Sequence, residues 1–311
     1  MTNLTYDVTV IGGGPAGLQA SLTLGRMHRR VLVLDSGRYR NDPAAHLHNF
    51  IGRDGAPPSE LRAAAHRELA SYPTVTLREA RVAEVTPTGD GFRVRLADDT
   101  TLATRLVLLA TGLRDTLPTL PGLVELFGDV VAHCPYCHGH EFAGTPIGIL
   151  GSAPHVARVA LLLERIASRI TVYADGGELA AETSAVLARV GIAVRTDAVS
   201  GVCRSPVGAR LSFTAGPDEE VGGLFVAPGL RQAAPFADQL GLDRLGSGGI
   251  EVDVVGRTSV RGVYAAGDCA HTAAFPMPLA SVLTAASAGL VAATACDGDL
   301  LARDHGLAAP L

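Results

Sequence analysis

Short runs of apolar residues alternate with helical patterns at the start of the chain, which predicts parallel strands joined by crossing helices. Residues 7–11 (DVTVI) and 30–34 (RVLVL) have the composition of short buried strands. Between them, residues 18–27 carry apolar side chains at helical spacing. A glycine-rich turn at 12–17 (GGGPAG) joins the first strand to this helix. The opening of the chain is therefore predicted as strand, tight turn, helix and strand.

The same pattern returns near the middle of the chain, which predicts an internal duplication. Residues 146–150 (PIGIL) are the predicted strand, 151–155 (GSAPH) the turn, 156–167 the helix and 169–173 (RITVY) the next strand. A proline-marked segment at 118–122 (PTLPG) precedes this unit, and the crossing between domains is predicted there.

The last part of the chain is predicted to return to the first domain. A buried strand at 262–266 is followed by a helical pattern rich in small residues at 278–296. The fold class is therefore predicted as α/β, with two Rossmann-like domains and the second inserted into the first. The outer domain is expected to comprise 1–117 and 227–311, and the inserted domain 118–226.

Composition and charge exclude several classes of protein. Hydrophobic residues make up 47% of the chain and charged residues 18%, so a large core is expected and disorder is not. The formal net charge of −5 argues against nucleic acid as a partner. Residues 1–6 lack the features of a signal peptide, and no apolar run is long enough to span a membrane. The expected compartment is the reducing cytoplasm, where a Cys-x-x-Cys pair is more often redox-active or metal-binding than a permanent crosslink.

The glycines of the first turn have the spacing of a dinucleotide site. Gly12 permits the tight turn, Gly14 lets the backbone approach a pyrophosphate, and Gly17 lets the helix pack closely on the strand. The start of the helix offers unpaired N–H groups to the phosphates. Asp35, at the end of the next strand, is positioned to accept a hydrogen bond from a ribose hydroxyl. This context predicts nucleotide binding.

A second candidate for chemistry is the segment HCPYCHGHE at 133–141, which contains two cysteines and three histidines. Zinc, a structural pair of buried thiols and redox exchange are the alternatives. A tetrahedral zinc site usually takes its ligands from two separate segments, and no second Cys-x-x-Cys follows, so no metal is predicted. Redox exchange between Cys134 and Cys137 is favoured. For His133 and His140 a functional role and an ordinary place in a loop both stay open.

Together these motifs resemble the low-molecular-weight thioredoxin reductase family of two-domain flavoproteins, over nearly the whole chain. The resemblance implies FAD in the outer domain, a homodimer, and Asp268 at the ribityl–pyrophosphate region. It also implies that Cys137 meets the flavin and Cys134 exchanges with substrate. The motifs that carry it are the 12–17 turn, Asp35, Asn49-Phe50 before Gly52, Ala110–Gly112, the cysteine pair and Ala266–Asp268. The cofactor-binding residues that it implies are Gly12, Gly14, Pro15, Ala16, Gly17, Asp35, Ser36, Asn49, Ala110, Thr111, Gly112, Gly267 and Asp268.

Two departures from the common family pattern are informative. His138 follows the second cysteine where thioredoxin reductases have an aspartate, and an imidazole can take a thiol proton and return it near neutral pH. The second turn has Ala153 in place of the expected glycine, and Asp175 where a 2′-phosphate needs a cation. NAD(P)H binding is therefore doubtful. The pattern resembles the FAD-dependent dithiol oxidases of the gliotoxin and holomycin type.

The resulting expectation is an FAD-dependent dithiol oxidase in which O2 accepts the electrons. Cys134, Cys137 and His138 are the predicted catalytic residues, and a small-molecule dithiol or a thioredoxin-like protein is the expected partner. The alternatives are an NAD(P)H-dependent thioredoxin-like disulfide reductase and an enzyme of the same fold that ferredoxin reduces. A non-catalytic flavin-binding regulatory protein is the alternative of another class.

Overall fold

A computed structural model describes residues 6–308, which divide into two compact units. Within the described residues, unit 1 comprises 6–40, 58–114 and 230–308, and unit 2 comprises 41–57 and 115–229. Residues 1–5 of the N-terminal segment, for which no signal peptide is predicted, lie outside the described part of the chain.

The secondary structure contains nineteen strands and eight α-helices in the described residues. The strands are β1 (Tyr6–Ile11), β2 (Val31–Asp35), β3 (Val75–Glu79), β4 (Val82–Pro87), β5 (Phe92–Leu96), β6 (Thr101–Leu109), β7 (Leu113–Thr116), β8 (Val131–Ala132), β9 (Pro146–Leu150), β10 (Arg169–Tyr173), β11 (Ala193–Arg195), β12 (Val199–Arg204), β13 (Ala209–Phe213), β14 (Glu219–Val221), β15 (Gly223–Val226), β16 (Gly229–Gln232), β17 (Ile250–Glu251), β18 (Val263–Ala265) and β19 (Ala270–His271). The helices are α1 (Pro15–Arg26), α2 (Pro58–Leu69), α3 (Leu123–Leu126), α4 (Pro135–His138), α5 (His155–Leu163), α6 (Ala181–Arg189), α7 (Phe236–Gln239) and α8 (Val282–His305), with a 3-10 helix at His140–Phe142.

Unit 1 is built on a seven-stranded sheet with the order β3-β2-β1-β6-β5-β4, and β18 also pairs with β6. Strands β1, β2, β3, β6 and β18 run parallel, whereas β4 and β5 form an antiparallel extension. Alternate residues of β2 enter different cores: Val31 and Val33 pack with residues of α1 and α8, and Leu32 and Leu34 pack with residues of α7. The sheet is therefore covered on both faces, which explains the unbroken apolar runs in its central strands.

Helix α8 differs from the helical segment predicted at 278–296, because it begins later and continues further. Ser281 caps the start of the helix by accepting a hydrogen bond from the Thr284 N–H at 3.1 Å. The helix ends at Gly306, whose φ of 65° is a left-handed conformation that favours glycine.

Unit 2 repeats the parallel architecture with a five-stranded sheet of order β11-β10-β9-β15-β8 and an antiparallel sheet of β12, β13 and β14. Helix α5 lies between β9 and β10 in the chain and packs its apolar residues onto the parallel sheet. The predicted class, α/β with two Rossmann-like domains and the second inserted into the first, is confirmed.

The segment 41–57 groups with unit 2, although the sequence places it in the outer domain. A close backbone contact inside unit 2 helps to explain this. Gly128 has a φ of 93°, and a Cβ at this position would lie 2.6 Å from Pro43. Only a glycine fits such an approach.

The proline-marked segment 118–122, predicted as the crossing between domains, lies inside unit 2. The Val202 N–H donates to the carbonyl of Pro121 at 2.9 Å, so this segment packs against β12. The chain instead passes between the units at β7 and β16, which pair as a two-stranded sheet. Among the described residues, no helix has both the length and the apolar character needed to cross a membrane.

Candidate active site

The glycine-rich turn between β1 and α1 in unit 1 is closed on one side and open on the other. A Cβ on Gly12 would lie 2.2 Å from the carbonyl oxygen of Ala110, and a Cβ on Gly17 would lie 1.9 Å from that of Gly12. A Cβ on Gly14 would meet no atom within 4 Å. Gly14 is the N-cap residue of α1 and Pro15 opens the helix. The turn therefore presents helix N–H groups toward free space, as a pyrophosphate requires.

Asp35 ends β2 beside this turn, because a Cβ on Gly13 would lie 2.1 Å from its Oδ2 atom. Its Oδ1 atom accepts a hydrogen bond from the Gly37 N–H at 3.1 Å, and its Oδ2 atom accepts one from the Tyr39 hydroxyl. These bonds fix the carboxylate of Asp35 and leave Ser36 directly after it. An oriented carboxylate at the end of the second strand matches the position expected for a ribose contact.

The segments after β6 and β18 meet the same turn. The Ala110 N–H donates to the carbonyl of Ile11 at 2.8 Å, and Thr111 and Gly112 follow. A Cβ on Gly267 would lie 2.9 Å from the Cβ of Ala16, which puts Gly267 and the following residue at the start of α1. Twelve of the thirteen predicted cofactor-binding residues thus lie at the carboxyl ends of the parallel strands of unit 1, where α/β sheets bind ligands. They are Gly12, Gly14, Pro15, Ala16, Gly17, Asp35, Ser36, Ala110, Thr111, Gly112, Gly267 and Asp268.

The twelve residues are called the cofactor cradle below. Arg40 lies next to them, and the sequence did not indicate it. Its Nη1 atom lies 2.9 Å from Oδ2 of Asp268, and both side chains are largely buried. The ion pair neutralises a carboxylate that would otherwise repel a diphosphate. The open turn, the oriented Asp35 and this neutralised acid together fit a dinucleotide cofactor such as FAD.

Asn49 is the exception among the predicted cofactor residues, because it belongs to unit 2. Its side-chain Nδ2 donates a hydrogen bond to the backbone carbonyl of Tyr136. Its own N–H donates to Oδ1 of Asp54 at 2.8 Å, and its φ of 62° is left-handed, which asparagine tolerates. Within unit 2, Asn49 thus ties the segment 41–57 to the cysteine turn.

Cys134 and Cys137 form a disulfide bond at the short helix α4. Cys134 is the residue before the helix, and its carbonyl accepts hydrogen bonds from the N–H groups of Cys137 and His138, each at 3.1 Å. These bonds fold the turn so that the two sulfurs meet. In the described part of the chain, no group of three or more metal-ligating side chains is arranged to hold a metal ion.

His138 is half-buried beside this disulfide, and burial lowers the pKa of its imidazole. The Glu141 carboxylate and the Gly128 carbonyl act against this shift without reversing it, and His48 acts in the same direction as burial. The Nδ1 atom of His138 is buried and has no hydrogen-bond partner among the described residues. Near neutral pH the ring is therefore a neutral base.

The other histidines of the motif have different surroundings. The ring of His133 stacks on Phe127 with their centroids 5.7 Å apart, and His140 is exposed. His48, from the segment 41–57, was not predicted as a site residue. Its Nε2 atom lies 3.4 Å from Oε1 of Glu141. No local sequence signal links a loop histidine to a glutamate so far along the chain.

The second glycine turn, in unit 2, does not fit a nicotinamide dinucleotide well. Asp175 has a φ of 53°, and its Oδ1 atom accepts a hydrogen bond from the Val199 N–H at 2.8 Å, so its carboxylate stabilises a turn. A Cβ on Gly177 would lie 2.6 Å from Oγ of Ser152, which means that the second residue of the turn already packs against this loop. No arginine lies at 174–178 to bind a 2′-phosphate.

The fold and the paired cysteines define a two-domain disulfide oxidoreductase, and comparison with known proteins agrees. Residues 6–289 match the family model for pyridine nucleotide-disulphide oxidoreductases. The chain is 34% identical over 292 residues to thioredoxin reductase tcpT of Claviceps purpurea, covering 86% of this chain and 87% of that protein. It is also similar to the crystal structure of HlmI, with a TM-score of 0.90, 35% identity and coverage of 98% of this chain and 96% of that one.

A putative thioredoxin reductase TrxB from Bacillus anthracis is a further similar structure, with a TM-score of 0.89 and 31% identity. It is matched over 96% of this chain and 99% of its own. The chain belongs to the pyridine nucleotide-disulphide oxidoreductase family. The resemblance to thioredoxin reductase-like flavoproteins is confirmed, and the chain is an enzyme of that class.

Proposed function

We propose that this protein is an FAD-dependent dithiol oxidase that closes a disulfide bond in a small dithiol molecule, with O2 as the final electron acceptor. The observation that carries the proposal is the Cys134–Cys137 disulfide with the neutral base His138 next to it. An oxidised cysteine pair is the form that can accept electrons from a dithiol. The neutral imidazole is the form that can take a thiol proton.

The first step is an attack by one substrate thiolate on the sulfur of Cys134. The Cys134–Cys137 bond breaks, a mixed disulfide forms at Cys134, and Cys137 leaves as a thiolate. The second substrate thiol then loses its proton and attacks the substrate sulfur of the mixed disulfide. The substrate disulfide forms and Cys134 leaves. Two electrons and two protons have then moved from the substrate to the cysteine pair.

His138 has the proton role in this exchange. Its neutral ring accepts a proton from a substrate thiol, because the thiolate is the nucleophile. The imidazolium then returns a proton to the leaving cysteine thiolate. A base with a pKa below its usual value is mostly neutral at pH 7 and is therefore ready for the first transfer.

The twelve residues of the cradle in unit 1 are the proposed binding site for FAD. Gly14 and the start of α1 would hold the diphosphate, Asp35 would accept a hydrogen bond from a ribose, and Asp268, paired with Arg40, would lie at the ribityl–pyrophosphate region. The chemistry that FAD supplies when bound is acceptance of two electrons from the reduced cysteine pair and reoxidation by O2, which gives hydrogen peroxide.

The second turn fits NAD(P)H poorly, which argues against a nicotinamide as the electron donor to FAD. It therefore supports the opposite direction, in which FAD passes electrons to O2. The main alternative is an NAD(P)H-dependent disulfide reductase that acts on a thioredoxin-like protein. The names of the similar proteins favour this alternative, because tcpT and TrxB are both called thioredoxin reductases. A dithiol oxidase and a disulfide reductase would use the same two cysteines in opposite directions.

Oxygen uptake with a panel of small dithiols, with and without NADPH or NADH, tests the proposal. The expected result is oxygen consumption with a dithiol alone, at a rate that nicotinamides do not change. Reduction of oxidised thioredoxin by NADPH, without oxidation of any dithiol, would establish the reductase instead. Dithiol oxidation that continues unchanged in a Cys137→Ser variant would remove the cysteine pair from the mechanism.

A further inference from the structure

The backbone around the cysteine pair runs as one continuous right-handed turn past the second cysteine. Helix α4 ends at His138, Gly139 has φ −64° and ψ −37°, and the 3-10 helix begins at His140. Residues three apart along such a helical segment lie on the same side. Glu141 is three residues beyond His138, so its carboxylate is on the side of the segment that carries the imidazole.

His48 contacts Glu141 from outside this segment. The Nε2 atom of His48 lies 3.4 Å from Oε1 of Glu141, and its Nδ1 atom lies 3.4 Å from Oδ1 of Asp54. Asp54 in turn accepts the Asn49 N–H at 2.8 Å. The side chain of Asn49 also reaches the carbonyl of Tyr136, between the two cysteines. The segment from His48 to Asp54 is thus attached to the cysteine turn at two separate points.

The charged groups that act on the pKa of His138 include Glu141, Asp129 and His48, and they differ in how far they are compensated. Glu141 and Asp129 favour the imidazolium, whereas His48 opposes it when it carries a proton. Asp129 forms an ion pair with Arg204 at an exposed position, so its effect on His138 is screened. Glu141 is therefore the carboxylate best placed to respond when His138 becomes charged.

We propose that Glu141 is a positioning residue that stabilises the protonated form of His138 during thiol exchange, and that His48 competes with His138 for this carboxylate. The inference rests on the proposed function, because His138 gains its charge when it accepts a substrate proton. His48 sets how strongly Glu141 acts, since the Glu141 carboxylate contacts His48 and interacts electrostatically with His138. Asp54 and Asn49 hold His48 and the turn together.

Removing Glu141 and removing His48 are expected to shift the pKa of His138 in opposite directions. The inference can therefore be tested without turnover. Glu141→Gln removes a negative charge that favours the imidazolium, and therefore lowers the pKa of His138. His48→Gln removes the competing imidazole and raises the pKa of His138. Glu182→Gln, on the exposed face of α6, is the matched control and leaves the pKa unchanged.

The experiment is an NMR titration of the His138 ring in the oxidised, flavin-bound protein, with the signal assigned through His138→Gln. Glu141→Asp keeps the charge and is the second variant if Glu141→Gln does not fold. Its His138 pKa stays close to that of the wild type. The inference is overturned if His138 titrates alike in the wild type and Glu141→Gln, or if His48→Gln lowers its pKa. Oxygen uptake by the wild type reports on the proposed function separately, so the two failures are distinguishable.

Discussion

The side chain of Asn49 donates a hydrogen bond to the backbone carbonyl of Tyr136, the residue that follows Pro135 and precedes Cys137. The loop 41–57 is therefore bound to the redox turn of unit 2, although it leaves β2 and enters α2 of unit 1 along the chain. Asn49 was expected among the cofactor-binding residues. Within unit 2 its contact makes it a support for the cysteine pair.

Removal of this contact is expected to loosen the cysteine turn. Asn49→Ala loses one hydrogen bond, worth about 1 kcal/mol, so the amide hydrogens of residues 134–138 should exchange about fivefold faster. Hydrogen exchange with mass spectrometry measures this directly. Peptides from β9 and β10 serve as the internal reference and should not change. Equal protection of the turn in both proteins would show that the bond does not hold it.

The pH dependence of thiol exchange should report the protonation of His138. Below the pKa of His138, which burial lowers from the ordinary value of 6.5, the ring is charged and cannot accept a proton. The rate of dithiol oxidation should therefore rise with pH through a value below 6.5 and level off above it, apart from ionisation of the substrate thiol itself near pH 8.5.

In the variant His138→Gln this rise of the rate with pH, the lower limb of the profile, should be absent. Its rate at pH 7 should also be about a hundredfold lower than that of the wild type. His140→Gln is the matched control, because His140 is exposed two residues away and has no proposed role. Stopped-flow measurements with a small dithiol from pH 5 to about pH 9 make the comparison. A lower limb that survives in His138→Gln would assign the proton transfer to another group.

The open side of the first glycine turn leads to a prediction about flavin affinity. A methyl group on Gly14 meets no protein atom, so Gly14→Ala should fold normally but obstruct the approach of the diphosphate. We expect FAD to bind about tenfold more weakly. Flavin fluorescence titration of the apoprotein gives the dissociation constant. Gly246→Ala, which also adds a methyl group in open space, should bind FAD as the wild type does.

Gly17→Ala should behave differently from Gly14→Ala, because its added methyl group collides with the protein itself. The Cβ would lie 1.9 Å from the Gly12 carbonyl oxygen, so the turn and the helix must move apart. The main effect expected is a loss of stability, measured as a lower midpoint of unfolding in urea, and not a change in flavin affinity. If Gly14→Ala were the less stable variant of the two, this account of the turn would be wrong.

A charged network in unit 1 gives a prediction about stability. The guanidinium of Arg257 donates two hydrogen bonds of 2.9 Å to Asp299, and the Tyr264 hydroxyl donates another. Burial raises the pKa of Asp299, but these hydrogen bonds outweigh burial and the net pKa is lowered. Asp299→Asn should therefore cost about 2 kcal/mol in the free energy of unfolding at pH 7.

The sign of the pH effect follows from the lowered pKa. The carboxylate of Asp299 stabilises the folded state above the ordinary pKa of aspartate, and that contribution is lost as pH falls through the folded-state pKa. The difference between the wild type and Asp299→Asn should thus shrink in acid. Asp238→Asn breaks an exposed pair with Arg244 and should change stability by less than about 0.5 kcal/mol.

The sequence predicted the parts of this protein that depend on local pattern. The turn at 12–17 and Asp35 could be identified because spacing along the chain sets their geometry. The cysteine pair could be identified because only two residues separate the two thiols. The fold class followed from the repeated strand, turn and helix units.

The parts that the sequence did not predict depend on contacts between distant residues. The pairing of His48 with Glu141 joins a loop to a turn far along the chain, and a single sequence carries no signal for it. The same holds for Arg40 beside Asp268. The sequence alone predicts the segment 41–57 in the outer domain, because its neighbours along the chain belong to that domain. Its packing on Gly128 is a tertiary contact.

Thiol exchange through the cysteine pair is tested most directly by stoichiometry. With excess O2 and no nicotinamide, the wild type should consume one molecule of O2 and form one of hydrogen peroxide for each small dithiol that it closes. A Cys134→Ser, Cys137→Ser double variant that still binds FAD should do neither above the uncatalysed rate. Equal dithiol oxidation by the double variant, or oxidation by the wild type only when NADPH is present, would contradict the account.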